Sequence, residues 1–333
     1  MSRFEAQKQL ACLLFSSMLA FYFVSQAQLP PPEPVKTGVT EPGIQRKMVD
    51  LNPLATFHVT GMPDWMAVTN DSVWVVSSEA NLVTQLDANT NRVASMIRVP
   101  QPCSGLAFAF DSLWIPSCGA HNVVRANPVS GKILARIPAG AADSEGGITA
   151  GAGSIWLVTS KNGVLTRVDA KTNAVIAAIA IPSGSSNPLF ADGFVWISSH
   201  QHNVLIKVDP ATNQVAATVP VGKSPRFLTT GVGSVWTLNQ GDGTISRVDT
   251  KTGRAVATIK AGIPGLGGEI AFGFGSVWAT MLGFPMTRID ASTNRVMQQW
   301  KGDGGDCIRT GHGSVWLTNL KSGVVWRLSP EQP

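Results

Sequence analysis

Beyond residue 50 the apolar side chains fall into short alternating runs, each closed by a glycine, asparagine or aspartate turn. Alternation of this kind marks half-buried strands. One run recurs along the chain: DSVWVV at 71, DSLWIP at 111, GSIWLV at 153, GFVWIS at 193, GSVWTL at 233, GSVWAT at 275 and GSVWLT at 313. The tryptophans Trp74, Trp114, Trp156, Trp196, Trp236, Trp278 and Trp316 are spaced by 40, 42, 40, 40, 42 and 38 residues. A second phrase follows the first six: TQLDANTN, VRANPVSG, TRVDAKTN, IKVDPATN, SRVDTKTG and TRIDASTN; the seventh repeat ends as WRLSP.

Each repeat divides into four strands, A to D. Strand A precedes a two-residue turn, strand B carries the tryptophan, strand C ends in the Asp phrase, and strand D is the alternating run after it, as in VAATVPV at 215–221. The A–B turns suit tight hairpins. In the C–D turns a leading Asp or Asn can bond the backbone ahead, and a later Asn or Gly tolerates positive φ. Four strands in about forty residues, repeated, predict the blades of a propeller. A closed ring leaves no long exposed edge. The seventh repeat lacks its own strand D, and residues 54–59 (LATFHV) match the strand D pattern. The expected fold is therefore all-β: a seven-bladed β-propeller over residues 51–330, with four-stranded blades and the ring closed by an N-terminal strand that completes the last blade.

The repeated residues read as scaffold. Each tryptophan is expected to pack between blades, and the Arg or Lys of the second phrase to stack on it from the neighbouring strand.

The N-terminal region changes the picture of where the protein works. Arg3 and Lys8 precede an apolar run at 10–24, and Ser25-Gln26-Ala27 places small residues at a cleavage position, so residues 1–27 read as a secretory signal. The run is shorter than a membrane-spanning helix needs. Residues 28–50, opening with LPPPEPVK, read as a Pro-rich flexible tether. The expected location is periplasmic or secreted, and the expected state is a monomer with no membrane span after cleavage. Three cysteines follow the signal. With Phe110-Asp111 as a two-residue turn, paired positions sum to 221, as 103 and 118 do, so Cys103 and Cys118 face each other across a hairpin and are expected to form a disulfide. Cys307 is left over. Net charge is +5, falling to +4 without residues 1–27, and no basic stripe with interleaved aromatics is present, so a nucleic-acid partner is not expected.

Tight turns leave no room for a site, so candidate chemistry falls on the D–A and B–C connections, which meet around the mouth of the central channel. The D–A connections before blades 3 and 6 are the long ones, and they end in Glu145 and Glu269, candidate catalytic acids or bases. The B–C loops supply His121, His200 and His202; with a nearby glutamate these form a candidate set for a divalent ion, Zn²⁺ or Mg²⁺. Arg226, Trp65, Asp64 and Asp306 begin strand A of other blades and make a rim suited to a polar or anionic ligand. A small molecule, a peptide or a protein partner at the channel mouth follows from this placement.

The phrases GSVWTL, SRVDTKTG and VAATVPVG resemble those of the YVTN or YncE-like propellers and, more distantly, the streptogramin (virginiamycin B) lyase propellers. The first likeness implies a binding or interaction protein of the cell envelope. The second implies a metal-dependent lyase that opens a depsipeptide ring by elimination, or a related hydrolase. Those lyases commonly carry a glutamate three residues after the strand B tryptophan. Here that position holds Ser77, Ser117, Thr159, Ser199, Asn239, Met281 and Asn319. Their His-Gly start to strand A is also missing; the nearest counterparts are Arg226-Phe227 and Glu269-Ile270. The lyase mechanism therefore does not carry over residue by residue.

Overall fold

At six of the seven A–B turns both central residues take positive φ, as at Phe110 and Asp111 (both +52°) and at Val232 (+47°) with Gly233 (+66°). Two left-handed residues in a row give the hairpin a twist that matches its strands. The structure, a computed structural model, describes residues 35–331. The expected signal at 1–27 and residues 28–34 of the expected tether lie outside the described residues.

Seven antiparallel sheets each run in the order A–B–C–D. Blade 1 is typical, with strands Met66–Val68, Ser72–Ser77, Leu82–Asp87 and Arg92–Arg98. Strands A pack side by side around the central channel, and that of blade 7 (Ile308–Gly311) lies beside that of blade 1. The outer strand of blade 7 is Ala55–His58, paired antiparallel with Val324–Leu328. The ring thus closes on an N-terminal strand.

The repeated phrases account for the packing. All seven tryptophans are fully buried. In six blades the Arg or Lys of the next strand lies over the indole at 4.7–5.4 Å. The same arginine donates from Nε to the serine that starts strand B, as Arg125 does to Ser112 at 2.9 Å. Its Nη1 reaches the C–D turn of the following blade: Arg125 bonds Ala170 O (2.8 Å) and Asn173 Oδ1 (3.0 Å). Arg327 makes the corresponding bonds to Ala88 O and Asn91 Oδ1, tying blade 7 to blade 1. In the C–D turns the leading Asp caps the backbone: Asp87 accepts from Asn89 and Thr90 N–H, and the Thr90 and Asn89 bonds hold its carboxyl below the ordinary value. The strand A glycines let blades close up. A Cβ on Gly151 would sit 2.0 Å from the Phe190 ring of the next blade.

The tether reading needs correction over its described part. Gln45–Lys47 is a strand that pairs parallel with the outer strand of blade 6, Arg295–Lys301, making that sheet five-stranded. Gly38 N–H bonds Gly262 O at 2.8 Å, Val39 N–H bonds Gln299 Oε1 at 2.6 Å, and Met48 is buried against blade 6 and its neighbours. The proline cluster ends at residue 34, and the segment after it, with Pro42 alone, is anchored by pairing with a distant strand rather than by any periodicity of its own.

Candidate functional site

The D–A connection of blade 3 is pinned at both sides. Ser104 of blade 2 donates from Oγ to Asp143 O and accepts from Gly146 N–H at 3.0 Å. Asn187 N–H of blade 4, at φ +53°, bonds Gly146 O at 2.5 Å. Asp143 Oδ1 accepts the Glu145 N–H at 2.9 Å. These bonds hold Glu145 over the channel mouth.

Three more carboxylates meet it there. Asp64 and Asp306 begin strand A of blades 1 and 7 and share a side-chain hydrogen bond. Asp306 also accepts the Gly268 N–H of blade 6 at 3.1 Å, beside Glu269, which is only 4% exposed. Arg309, on strand A of blade 7, forks onto both Glu269 oxygens and donates from Nε to Met66 O at 3.0 Å. Cys307 is buried and shares a hydrogen bond with Glu269; burial drives its thiol well above the ordinary value.

Proximity shows in the proton affinities. Burial, then the charges of Glu145, Asp306 and Glu269, push Asp64 up to about 9. Burial, then Asp306 and Glu269, push Glu145 up to about 7, although Arg226 pulls the other way. Burial raises Glu269 more than the Arg309 pair lowers it. Four carboxyl groups from blades 1, 3, 6 and 7 thus share one region with too few cations to neutralise them. Below it the strand A side chains, among them Trp65, Leu106, Ile148, Phe227 and Ile270, enclose a channel cavity of about 310 Å³. Trp65 is 4% exposed and packs on Phe227 with ring centroids 5.8 Å apart.

The structure therefore brings together Glu145, Glu269, Asp64 and Asp306, with Trp65 beneath them. Arg226 stands to one side, 3.8 Å from Asp143. The histidines are placed elsewhere. His121 is exposed in its loop, and His202 is exposed with its Nδ1 sharing a 3.0 Å hydrogen bond with Ser199 Oγ. His200 is half-buried, and the charges that bear most on it are Arg226, Asp143 and His202 rather than either glutamate. Oxygen donors of this kind suit a hard divalent cation. Among the described residues, however, no three His, Cys, Asp or Glu side chains stand close enough together to hold a metal ion. The set Glu145, Glu269, His121, His200 and His202 is not assembled around one point.

Arg309 lies within a strand and so falls outside the loop connections that the sequence singles out. A signal was present: the strand A residue opposite each tryptophan is Ala67, Ala107, Thr149, Leu189, Thr229, Ala271 and Arg309 in turn, and only the last is charged.

No family model matches the sequence, and no curated relative does. Solved structures do. Virginiamycin B lyase from Staphylococcus aureus superposes with a TM-score of 0.67 at 17% identity, over 82% of this chain and 98% of that one. A streptogramin B lyase superposes with a TM-score of 0.68 at 21% identity, over 81% and 95%. A catalytically inactive virginiamycin B lyase from Staphylococcus aureus with quinupristin reaches 0.69 at 17%, over 82% and 98%. The computationally designed Ika8 protein reaches 0.62 at 13% identity, over 83% and 99%. The chain shares the fold of the streptogramin B lyase propellers. A designed protein matching almost as well marks this as a likeness of architecture.

Proposed function

We propose that the protein is an exported binding propeller of the YVTN type, taking a positively charged small molecule or peptide at the loop-face mouth of its channel. The observation that carries this reading is the convergence of Asp64, Glu145, Glu269 and Asp306, with burial and mutual repulsion pushing Asp64 up to about 9 and Glu145 up to about 7. An ammonium or guanidinium group entering the cluster would relieve that repulsion and displace protons. Arg309 cannot do this for all four, because its fork is committed to Glu269. Export is supported by the signal-like order of residues 1–27 and by the Cys103–Cys118 disulfide, which suits an oxidising compartment. Mass analysis of the secreted chain should find Gln28 at its N-terminus.

Calorimetric titration with spermidine and with an arginine peptide tests the binding site. Saturable binding is expected, with proton release that grows as pH falls from about 8 to about 6. Asp64→Asn and Asp306→Asn should each weaken it about tenfold, the scale of a lost charge-assisted contact. If neither probe binds, or if both variants bind as well as the parent, the reading is wrong.

A second reading, a lyase, draws on Glu145. A carboxyl at about 7 is matched to proton abstraction near neutrality. Incubation with quinupristin and Mg²⁺ or Zn²⁺, followed by chromatography for a ring-opened product, tests it. An unchanged retention time, together with a melting temperature that neither ion moves, sinks both the lyase and its metal.

A further inference from the structure

A second cavity, of about 270 Å³, lies beside the acid cluster and is lined by blades 3, 4 and 5. Its ionisable groups are Lys161 and Asp143 of blade 3, His200 of blade 4, whose burial and the nearby Arg226 hold its pKa below the ordinary value, and Arg226 of blade 5. Asp143 is the single acid, and one of its oxygens is already engaged by the Glu145 N–H.

Arg226 is the anomaly. The arginines that stack on tryptophan use their N–H groups on serines and turn carbonyls, and Arg309 uses its own on Glu269, Met66 and Ile308. The Arg226 side chain is only 21% exposed, yet its guanidinium donates no hydrogen bond to any described residue. Asp143 at 3.8 Å is too far for one, and the Phe227 ring centroid lies at 5.9 Å. A largely buried fork of five donors without acceptors is costly unless something else supplies them. One neighbour repeats the pattern: His200 Nδ1 is buried without a partner. Lys161, at the rim, is exposed, and its ammonium makes no hydrogen bond or ion pair with a described residue.

We propose that this cavity is an oxyanion subsite that holds a phosphate or carboxylate group of the ligand. Arg226 supplies two parallel N–H bonds, Lys161 a second positive charge, and His200 an N–H donor. The subsite stands on residues separate from the acid cluster. It deepens the proposed function, on which this one consequence rests: Asp143 to Gly146 form the wall between the two, so a ligand reaching both carries a cation at one end and an oxyanion at the other.

The test uses ring-proton spectra of the five histidines in the full mature chain. Inorganic phosphate and acetate are titrated separately against chloride at constant ionic strength. The His200 resonances should move saturably, while His58 and His312 stay fixed. The His200 pKa should rise when the anion is present, against the burial and the Arg226 and His202 charges that lower it, with Asp143 beside it raising it. Arg226→Gln should weaken the response about tenfold, Lys161→Gln by less, and Arg226→Lys should restore part of it. Unshifted His58 and His312 signals show that each variant is folded. A stronger response to phosphate assigns a phosphoryl group, and a stronger response to acetate a carboxylate. If His200 ignores both anions, or if Arg226→Gln binds as the parent does, the proposal is overturned. Because amines probe the acid cluster and anions probe this cavity, failure of one reading leaves the other standing.

Discussion

Asp64 and Glu145 keep their protons at pH values where carboxyl groups are normally ionised, and this has a sign for stability. In an unfolded chain both would titrate near pH 4. Between that point and the folded values of about 7 and about 9, the folded state holds more protons than the unfolded one. Stability therefore falls as pH rises through this window, and the advantage present in acid is gone above about 9. Asp64→Asn keeps the size and the hydrogen-bonding reach of the side chain but has no proton to lose. Melting curves from about pH 5 to about pH 9 should show a decline of several degrees in the parent and a clearly shallower one in the variant. Parallel declines would mean that Asp64 ionises normally in the fold. Neither shifted value was legible in the sequence. Glu145 could be placed at the mouth by counting loop lengths and Asp64 as the start of a strand A, but the closeness of Asp306 and Glu269 depends on strand A starts brought together only by the ring.

At the scale of elements, legibility followed local chemistry. The hairpin of blade 2 was readable because Phe110-Asp111 fixes its register: Ala107 pairs with Trp114 and Ala109 with Ser112. Beyond the left-handed Ser104 and Gly105 the register slips by two, Pro102 pairing with Ser117, so Cys103 and Cys118 form the expected disulfide from offset rather than directly opposed positions. That disulfide closes a 15-residue separation at the open end of the hairpin. Loop-closure entropy for such a length gives about 3 kcal/mol of stabilisation. Cys103→Ser with Cys118→Ser, or reduction of the parent, should lower the melting temperature by several degrees and leave the other blades intact. A shift confined to a fraction of a degree would show that the neighbouring blades already hold this hairpin closed. The strand Gln45–Lys47 was not readable, because it has no alternation to announce it. It exists because the edge of blade 6 and the buried amide of Gln299 offer bonds to Ile44 and Val39, more than two hundred residues away in the chain. A pairing that depends on a partner so remote leaves no mark on the local pattern.

At the scale of the molecule, the seam lies inside blade 7, where Ala55–His58 meets Val324–Leu328 and nothing covalent joins the two. Phe57 packs on Trp316 with ring centroids 5.6 Å apart, and Arg327 reaches across to Ala88 and Asn91 of blade 1. The acid cluster bridges the two blades that this closing strand links, since Asp64 belongs to blade 1 and Asp306 to blade 7. A chain starting at residue 51 keeps the closing strand; one starting at residue 60 loses it and exposes the edge of Val324–Leu328. The first should melt in one sharp transition, and the second should melt lower and over a broader range, with a tendency to associate through its open edge. The shorter chain should also lose the alkaline decline attributed to Asp64, because an opened seam separates it from Asp306 and admits water. If the chain starting at 60 melts as sharply as that starting at 51, strand pairing does not close the ring. If it melts lower but keeps the full decline between pH 7 and 9, the proton on Asp64 is held by burial within blade 1 and not by its neighbour across the seam.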